Sequence, residues 1–201
     1  MWLALASLSL LLGQQMHDHK MHRTADEFAR VLDDPKRDSW QKPHEVVMAL
    51  ALRPDEVVAD VGAGTGYFAK RFARHAGKVY AVDIAPKLLA MAKKNEPRLD
   101  IVVAAEDDPK LPVASIDTIF VCNTLHHIDG RAAYLPKLKR ALKPGGRVVV
   151  LEFHKRPTPV GPPVEHRIAQ ADLVKEFLAA GFHQTREWTM LETQYFLEFK
   201  L

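Results

Sequence analysis

Short apolar runs alternate with amphipathic stretches along most of the chain. Between the runs, apolar positions recur every three or four residues, as they do on one face of a helix, at about residues 67–75, 86–94 and 131–142. Strands that alternate with helices are joined by right-handed crossovers, so this order predicts an α/β fold with a mostly parallel sheet and helices on both faces. The five apolar runs, each the length of one strand, are residues 57–61, 78–82, 101–103, 118–122 and 147–153.

The C-terminal part of the chain has a different pattern. A helical stretch from about residue 168 to residue 180 ends at Gly181, and glycine is favoured just after a helix. Two further runs follow at residues 182–190 and 195–201, and every other residue of the second run is apolar. The short connection between these runs predicts a β-hairpin. We expect its antiparallel C-terminal strand to close the sheet.

Two helices are predicted before the first strand. Helical spacing begins at Thr24, includes Phe28 and Leu32, and stops before Pro35, and a second helix starts at about Pro43. No other boundary divides the rest of the chain, so we expect a single domain over residues 24–201. The predicted parts are a tail at 1–23, N-terminal helices at 24–52 and an α/β core at 53–201.

Residues 1–23 carry two features of their own. Residues 2–12 form an apolar run of eleven residues, which is the length of a signal-peptide core and too short for the ~20 residues that span a bilayer as a helix. We expect no stable membrane insertion and a cytoplasmic location; export stays an alternative, although no Lys or Arg precedes the run. Residues 16–22 contain three His and two Met residues that could bind a metal ion. Because nothing in their pattern would fix a binding geometry, we expect a solvated tail and no metal site.

Composition and charge exclude several function classes. The chain has 28 Lys and Arg residues against 25 Asp and Glu residues, a net charge of +3. The positive charges are spread along the chain, so no nucleic-acid partner is expected. Cys122 is the only cysteine of the sequence, which excludes an internal disulfide framework and a thiolate cluster.

A glycine-rich loop follows the first predicted strand. Gly62, Gly64 and Gly66 lie between that strand and a helical stretch. Without a Cβ the backbone can turn tightly and approach a ligand, and the N-terminus of the next helix favours a negative group. Tyr67 stands where a dinucleotide fingerprint requires its third glycine, so the spacing disfavours NAD.

An acidic residue ends the second predicted strand. Asp83 follows Gly66 by seventeen residues, and a carboxylate at this edge of the sheet can accept hydrogen bonds from two ribose hydroxyls. The alternative is that Asp83 caps the helix that starts near Pro86.

In this order and at these intervals, the motifs resemble those of the class I S-adenosylmethionine-dependent methyltransferases, especially the small-molecule type with D-x-G-x-G-T-G after the first strand. The resemblance runs from about residue 45 to residue 201. It implies a Rossmann-like, doubly wound sheet of seven strands and S-adenosylmethionine as the cofactor. The matching segments are residues 60–66, 82–83, 105–107, 115–117, 123–127 and 142–146.

The resemblance also implies site residues. Asp83 would bind the ribose, and Asn123 would lie near the sulfonium. Many relatives have Gly-Asp-Ala after the third strand, and its aspartate contacts the adenine amino group. This chain has Val-Ala-Ala at 103–105, so we expect the neighbouring Glu106 and Asp107 to flank the adenine. The residues around the methionine end would be Asp60, Gly62, Gly64 and Gly66.

Methyl transfer from a sulfonium requires alignment of the acceptor, exclusion of water and, for some acceptors, removal of a proton. The candidate bases are His126, His127 and His154, each of which could instead be a structural imidazole. Glu152 lies at the same predicted sheet edge, but no carboxylate–histidine pair at catalytic spacing is evident from the sequence.

The predicted acceptor is a small molecule that presents oxygen, nitrogen or sulfur. After the fourth strand the chain has Asn-Thr-Leu-His at 123–126, and lacks the Asn/Asp-Pro-Pro-Tyr/Phe run with which nucleic-acid amino methylases hold a planar nitrogen. Two alternatives remain, a non-catalytic protein that binds S-adenosylmethionine and an exported metal-binding protein. The sequence does not predict the oligomeric state.

Overall fold

The computed structural model describes residues 24–201. A seven-stranded sheet forms its centre, with the strand order β3-β2-β1-β4-β5-β7-β6. The strands are β1 (Val57–Val61), β2 (Lys78–Asp83), β3 (Asp100–Val103), β4 (Ile116–Cys122), β5 (Leu142–Phe153), β6 (His183–Trp188) and β7 (Gln194–Lys200).

Strands β1 to β5 pair in parallel, as the alternation of strands and helices predicts. The chain passes from β1 to β2 and β3 on one side and returns to β4 on the other side of β1. A cleft forms at such a reversal of strand order, outside the carboxyl ends of the strands. The fold therefore places a ligand cleft beside the loops that follow β1, β2 and β4.

The C-terminal hairpin is present, and its last strand is antiparallel, as predicted. Strand β7 is antiparallel and lies inside the sheet, between β5 and β6, so β6 forms the edge. Six of the seven residues of β7 are buried, whereas five of the six residues of β6 are exposed. The apolar strand takes the position with two neighbours, and the polar strand takes the edge.

Seven α-helices surround the sheet within residues 24–201. Helix α1 begins at a capping box in which the Thr24 hydroxyl accepts from the Glu27 N–H and the Glu27 carboxylate accepts from the Thr24 N–H. The helices are α1 (Ala25–Leu32), α2 (Arg37–Gln41), α3 (Pro43–Ala49), α4 (Ala69–Phe72), α5 (Pro86–Asn95), α6 (Arg131–Ala141) and α7 (Gln170–Ala179).

Two helices differ from the prediction. Helix α2 was not predicted as a separate helix, and α4 is shorter than the expected stretch at 67–75. After α4 the backbone continues in tight turns, because the N–H groups of Arg74 and His75 bond to carbonyls only three residues back.

Two hydrophobic clusters cover the two faces of the sheet. On one face, α6 and α7 pack on the sheet, and the ring of Phe177 on α7 stacks on that of Phe199 on β7 at a centroid distance of 4.1 Å. On the other face, α3, α4 and α5 pack around Phe72 and Phe120. This burial on both faces confirms the predicted layering.

The expectations for the tail concern residues outside the described part of the chain, namely the apolar run at 2–12 and the His/Met segment at 16–22. Over residues 24–201, no helix is both long enough and apolar enough to cross a membrane.

Candidate active site

The glycine loop turns sharply at the carboxyl end of β1. Gly62, Gly64 and Gly66 have φ values of +79°, +54° and +81°, a backbone region that residues with a Cβ rarely adopt. A Cβ on Gly62 would also overlap the side chain of Thr124, which follows β4. The loop is therefore tight enough to need glycine, and it lies directly against the segment after β4.

Asp83 holds the loop from the neighbouring strand. Its Oδ2 accepts a hydrogen bond from the Gly64 N–H at 2.8 Å, and its Oδ1 accepts one from the Ala85 N–H at 2.9 Å. The N-cap of α5 is Ala85, so the interpretation of Asp83 as the helix cap is wrong. Each carboxylate oxygen keeps a further lone pair that can accept a hydroxyl.

Ile84, the next residue, was missed by the sequence interpretation. Its side chain is 57% exposed although it is large and apolar. Together with Asp83, it provides an apolar surface beside a hydrogen-bond acceptor at the mouth of the cleft.

Asp60 is a buried carboxyl group below the glycine loop. Burial raises its pKa to about 7. A hydrogen bond from the Ala69 N–H and the positive charge of Arg37 both lower the pKa, but they do not offset the effect of burial. A carboxyl group with this pKa changes its charge near neutral pH.

The turn after β3 lies next to Asp83, since the Ala104 N–H donates to the Asp83 carbonyl oxygen at 2.9 Å. Glu106 and Asp107 occupy this turn, and both are exposed. The Asp107 carboxylate is 2.9 Å from the Lys137 Nζ, and this hydrogen bond lowers the pKa of Asp107.

Asn123 follows β4 in a left-handed conformation with φ +52°. Its Oδ1 accepts a hydrogen bond from the Gln194 Nε2 at 2.7 Å, and the Gln194 Oε1 is bound in turn by the Gln41 Nε2. Both glutamines are buried, with exposures of 1% or less. They join α2 and β7 to the end of β4, a link between distant segments that the sequence patterns did not indicate.

The N-terminal helices cover the glycine loop. A Cβ on Gly64 would lie 2.7 Å from the Leu32 Cδ1. The Thr65 hydroxyl donates to the Asp33 carboxylate at 2.9 Å. The segment from α1 to α2 therefore forms one wall of the cleft.

A carboxylate–histidine pair lies beside this cleft. The Nδ1 of His126 is 2.8 Å from the Glu152 Oε2, and the His126 N–H donates to the Glu152 Oε1 at 3.3 Å. Their side chains are only 4% and 2% exposed. This pair was not evident from the sequence. Strands β4 and β5 are parallel neighbours, with Cys122 opposite Leu151, so the residues that follow meet at one edge.

A cavity of about 1060 Å³ opens next to this pair. Phe28 of α1, which is 42% exposed, contributes an apolar wall. Part of the loop after β5 forms another wall. The lining residues are Phe28, His126, His127, Asp129, Arg131, Lys155, Pro162, Glu165, His166, Arg167, Ile168, Ala169, Asp172 and Glu176.

Arg167 organises the loop that bounds this cavity. It is 5% exposed, and its guanidinium donates to the carbonyl oxygens of His154, Arg156, Val160 and Pro162 and to the Thr158 hydroxyl. These bonds hold the proline-rich connection in one shape.

The other two candidate histidines lie in different surroundings. His127 is exposed and lines the cavity. The ring of His154 packs on Tyr195 at a centroid distance of 5.8 Å. Burial and the nearby Arg156 lower the pKa of His154. Across residues 24–201, no cluster of His, Cys, Asp and Glu side chains is arranged to hold a metal ion.

Comparisons with known proteins agree with this arrangement. Residues 59–150 match the family model described as a methyltransferase domain. The chain is 36% identical over 116 residues to the ubiquinone/menaquinone biosynthesis C-methyltransferase UbiE of Cupriavidus taiwanensis, covering 54% of this chain and 48% of that protein. It is 31% identical over 149 residues to the demethylmenaquinone methyltransferase of Renibacterium salmoninarum, covering 66% of this chain and 61% of that protein.

The chain thus spans about half the length of most of the curated relatives it matches. A solved structure of an S-adenosylmethionine-dependent methyltransferase from Aquifex aeolicus superposes with a TM-score of 0.81 over 89% of this chain and 98% of that chain, at 22% identity. That likeness confirms the Rossmann-like fold with its seven-stranded sheet. Residues 59–150 thus match a methyltransferase domain, and the chain has the fold of an S-adenosylmethionine-dependent methyltransferase, a class of enzyme whose cofactor is S-adenosylmethionine.

Proposed function

We propose that this protein transfers the methyl group of S-adenosylmethionine to a small molecule bound in the cavity beside His126. One observation carries the proposal: the glycine loop and the cavity meet at the segment after β4. Gly62 packs on Thr124, and His126, two residues further on, lines the cavity. A methyl donor in the cleft and an acceptor in the cavity would therefore be adjacent.

The cleft has the features that S-adenosylmethionine requires. The Asp83 carboxylate can accept the ribose hydroxyls, and Ile84 offers an apolar face to the adenine. In our assignment Glu106 and Asp107 flank the adenine, and Asn123 lies near the sulfonium. Asp60 and the three loop glycines, Gly62, Gly64 and Gly66, surround the methionine end. The bound cofactor supplies an electrophilic methyl group; the protein aligns the acceptor and excludes water.

His126 is the base we assign to acceptors that must lose a proton. Glu152 binds the Nδ1 side of the ring, so Nε2 is the nitrogen that can accept a proton from a molecule in the cavity. His127 lines the same cavity and is the second candidate. His154 is the weakest of the three, because its ring packs on Tyr195.

The acceptor atom is oxygen, nitrogen, sulfur or carbon. Carbon joins the list because one of the relatives is named a C-methyltransferase. A thiol of pKa near 8.5 is already a few per cent thiolate at neutral pH, so it needs alignment more than a base. A hydroxyl group or a ring carbon has to release a proton, and for these acceptors the His126–Glu152 pair matters.

Binding and turnover test the proposal separately. At a hundredfold excess over its dissociation constant, S-adenosylhomocysteine should raise the melting midpoint by roughly 5–11 °C, and NAD should not. Labelled S-adenosylmethionine is then supplied with a phenol, a hydroquinone, an amine and a thiol, and products are identified by mass spectrometry. A labelled product supports the enzyme. Binding without product from any acceptor supports the alternative, a regulatory protein that binds the cofactor.

We place the reaction in the cytoplasm, because S-adenosylmethionine is made and kept there. Cell fractionation, with N-terminal sequencing of the protein recovered, tests this location. Recovery outside the cytoplasm of a protein that lacks its first residues would support export instead.

A further inference from the structure

We propose that Arg37, on α2, binds the α-carboxylate of the amino-acid tail of S-adenosylmethionine. The N-terminal helices would then be part of the cofactor site as well as a cover over it. This inference rests on the proposed function, because it needs the methionine end of the cofactor to lie at the glycine loop.

The first observation is that Arg37 is held over the glycine loop. Its guanidinium carbon lies 3.8 Å from the centre of the ring of Tyr67, the residue that follows Gly66. Its Nη1 donates to the Leu32 carbonyl oxygen at 3.0 Å, and its Nε donates to the Gln41 Oε1 at 3.2 Å. These contacts fix the plane of a half-buried guanidinium before any ligand arrives, which lowers the entropic cost of binding an anion.

The second observation is the missing counter-ion. Among the described residues, no carboxylate oxygen lies within 4.0 Å of the Arg37 guanidinium. The nearby Asp38 instead pairs with Arg71 at 3.3 Å and accepts from the Tyr67 hydroxyl. Arg37 therefore presents a positive charge whose direct ion-pair position is open.

The remaining nitrogen of Arg37 has a weak partner. Its Nη2 lies 4.0 Å from the Cys122 Sγ, at the end of β4. Burial raises the pKa of this thiol to about 12, so the sulfur is a neutral and poor acceptor. A carboxylate oxygen would be a much stronger partner for Nη2.

The third observation is a carboxyl group near Arg37. Asp60 lies below the glycine loop, and the Arg37 charge acts on it without direct contact. A ligand tail with one amino group and one carboxylate matches this arrangement, the amino group towards Asp60 and the carboxylate towards Arg37. The ligand class is an α-amino acid attached to a nucleoside.

Calorimetry with two ligands on the full chain tests the carboxylate contact. The ligands are S-adenosylhomocysteine and its decarboxylated analogue, which keeps the amino group. We expect the wild-type protein to bind S-adenosylhomocysteine about 10- to 100-fold more tightly than the analogue, the range for a hydrogen bond to a charged group. In Arg37→Gln, the two affinities should become equal within about threefold, mainly through weaker binding of S-adenosylhomocysteine.

Arg71→Gln is the matched control. Arg71 packs on the same Tyr67 ring, at 4.3 Å from its centre, but it is already paired with Asp38. Its replacement should leave the ratio of the two affinities unchanged. Melting curves without ligand show whether each variant is folded.

Two results would overturn the inference: equal binding of the two ligands by the wild-type protein, or an unchanged ratio of the two affinities in folded Arg37→Gln. The first measurement needs no variant, so it can overturn the inference even if Arg37→Gln does not fold. If the wild-type protein binds neither ligand, the proposed function fails instead, and this outcome is distinguishable from the other two.

Discussion

Glu152 accepts two hydrogen bonds from His126, one from the ring Nδ1 at 2.8 Å and one from the backbone N–H at 3.3 Å. A carboxylate that binds both the ring and the backbone of one histidine fixes the orientation of the imidazole and the tautomer it adopts. Because both side chains are almost fully buried, the pair is rigid. This geometry supports the role that we propose for His126 as a base, with Glu152 as its positioning residue.

For an oxygen or carbon acceptor, we expect His126→Ala to lower kcat by about 10²- to 10⁴-fold, the contribution of a positioned base. The affinity for S-adenosylhomocysteine should not change. Glu152→Gln should cause a smaller loss in kcat and shift the pH profile of kcat, since an amide does not favour the same charge on the ring. Single-turnover rates and calorimetry provide the two measurements.

The control for this prediction is His154→Ala, whose ring packs on Tyr195. It should lower kcat by less than ~10-fold, below the range for a base. A loss at His154 as large as that at His126 would show that we have assigned the wrong histidine. With a thiol acceptor, the loss in His126→Ala should itself shrink to less than ~10-fold.

Asp83→Ala should weaken both cofactor binding and folding. The ribose contacts are worth about 2–4 kcal/mol, so affinity for S-adenosylhomocysteine should fall at least ~10-fold. The Gly64 and Ala85 N–H groups also lose their acceptor, which should lower the free energy of unfolding by about 1–3 kcal/mol.

Asp83→Asn separates these two effects, because its amide oxygen still accepts one hydrogen bond but carries no charge. We expect it to be more stable than Asp83→Ala in urea unfolding while its affinity remains reduced. Asp55→Asn serves as the surface control, since the Asp55 carboxylate is exposed and contacts only Arg53 among the described ion pairs. Unchanged affinity in both Asp83 variants would contradict the ribose assignment.

Much of the core could be predicted because its signals are local. Strand β1 has the predicted bounds 57–61, and α1 begins at the Thr24 cap, since periodicity and capping depend on neighbours in sequence. The antiparallel hairpin of β6 and β7 was predicted in the same way. The place of β7 inside the sheet follows from the contrast between the buried β7 and the polar β6.

The site was harder to predict because it depends on pairs of residues far apart in the chain. Glu152 could have been paired with His126 from the parallel register of β4 and β5, since His126 follows β4, Glu152 lies near the end of β5, and the two strands end at one edge. The contact of Gln41 with Gln194 has no such signal, because helix α2 is short and its position over the sheet follows from packing. The same is true of Arg37 over Tyr67.

The tail and the N-terminal helices should behave differently on truncation. Removing residues 1–23 should change cofactor affinity and turnover by less than about twofold, because α1 starts at its own cap. Removing residues 1–42 should abolish tight binding, since it also removes Arg37 and Gln41. Loss of turnover in the shorter truncation, with recovery on adding copper or zinc, would make residues 16–22 part of the site.

Arg167→Lys should affect the acceptor more than the cofactor. A lysine ammonium has three donors and cannot reproduce the bonds that the guanidinium makes to the loop after β5. The wall of the cavity should loosen, which raises the KM for the acceptor while the affinity for S-adenosylhomocysteine stays the same. An unchanged KM in a folded variant would mean that this loop does not contact the acceptor.

The last prediction concerns stability and pH at Asp60. Its pKa rises from 3.8 to about 7 on folding because of burial, so the folded protein binds this proton more tightly than the unfolded chain does. The protonated carboxyl group therefore stabilises the folded state fully below pH 4, and this stabilisation is lost as the pH rises through about 7. Its contribution to the free energy of unfolding is at most about 4 kcal/mol. Asp60→Asn, which carries no titrating proton, should therefore gain stability relative to the wild-type protein between pH 5 and pH 8. Urea unfolding of both proteins across this range measures the difference. Asp117→Asn provides the comparison. The Lys143 and Val57 hydrogen bonds outweigh burial and lower the pKa of Asp117 below 3.8, so the stability difference for this variant should stay constant between pH 5 and pH 8. A stability difference for Asp60→Asn that does not vary with pH would show that Asp60 does not titrate in this range.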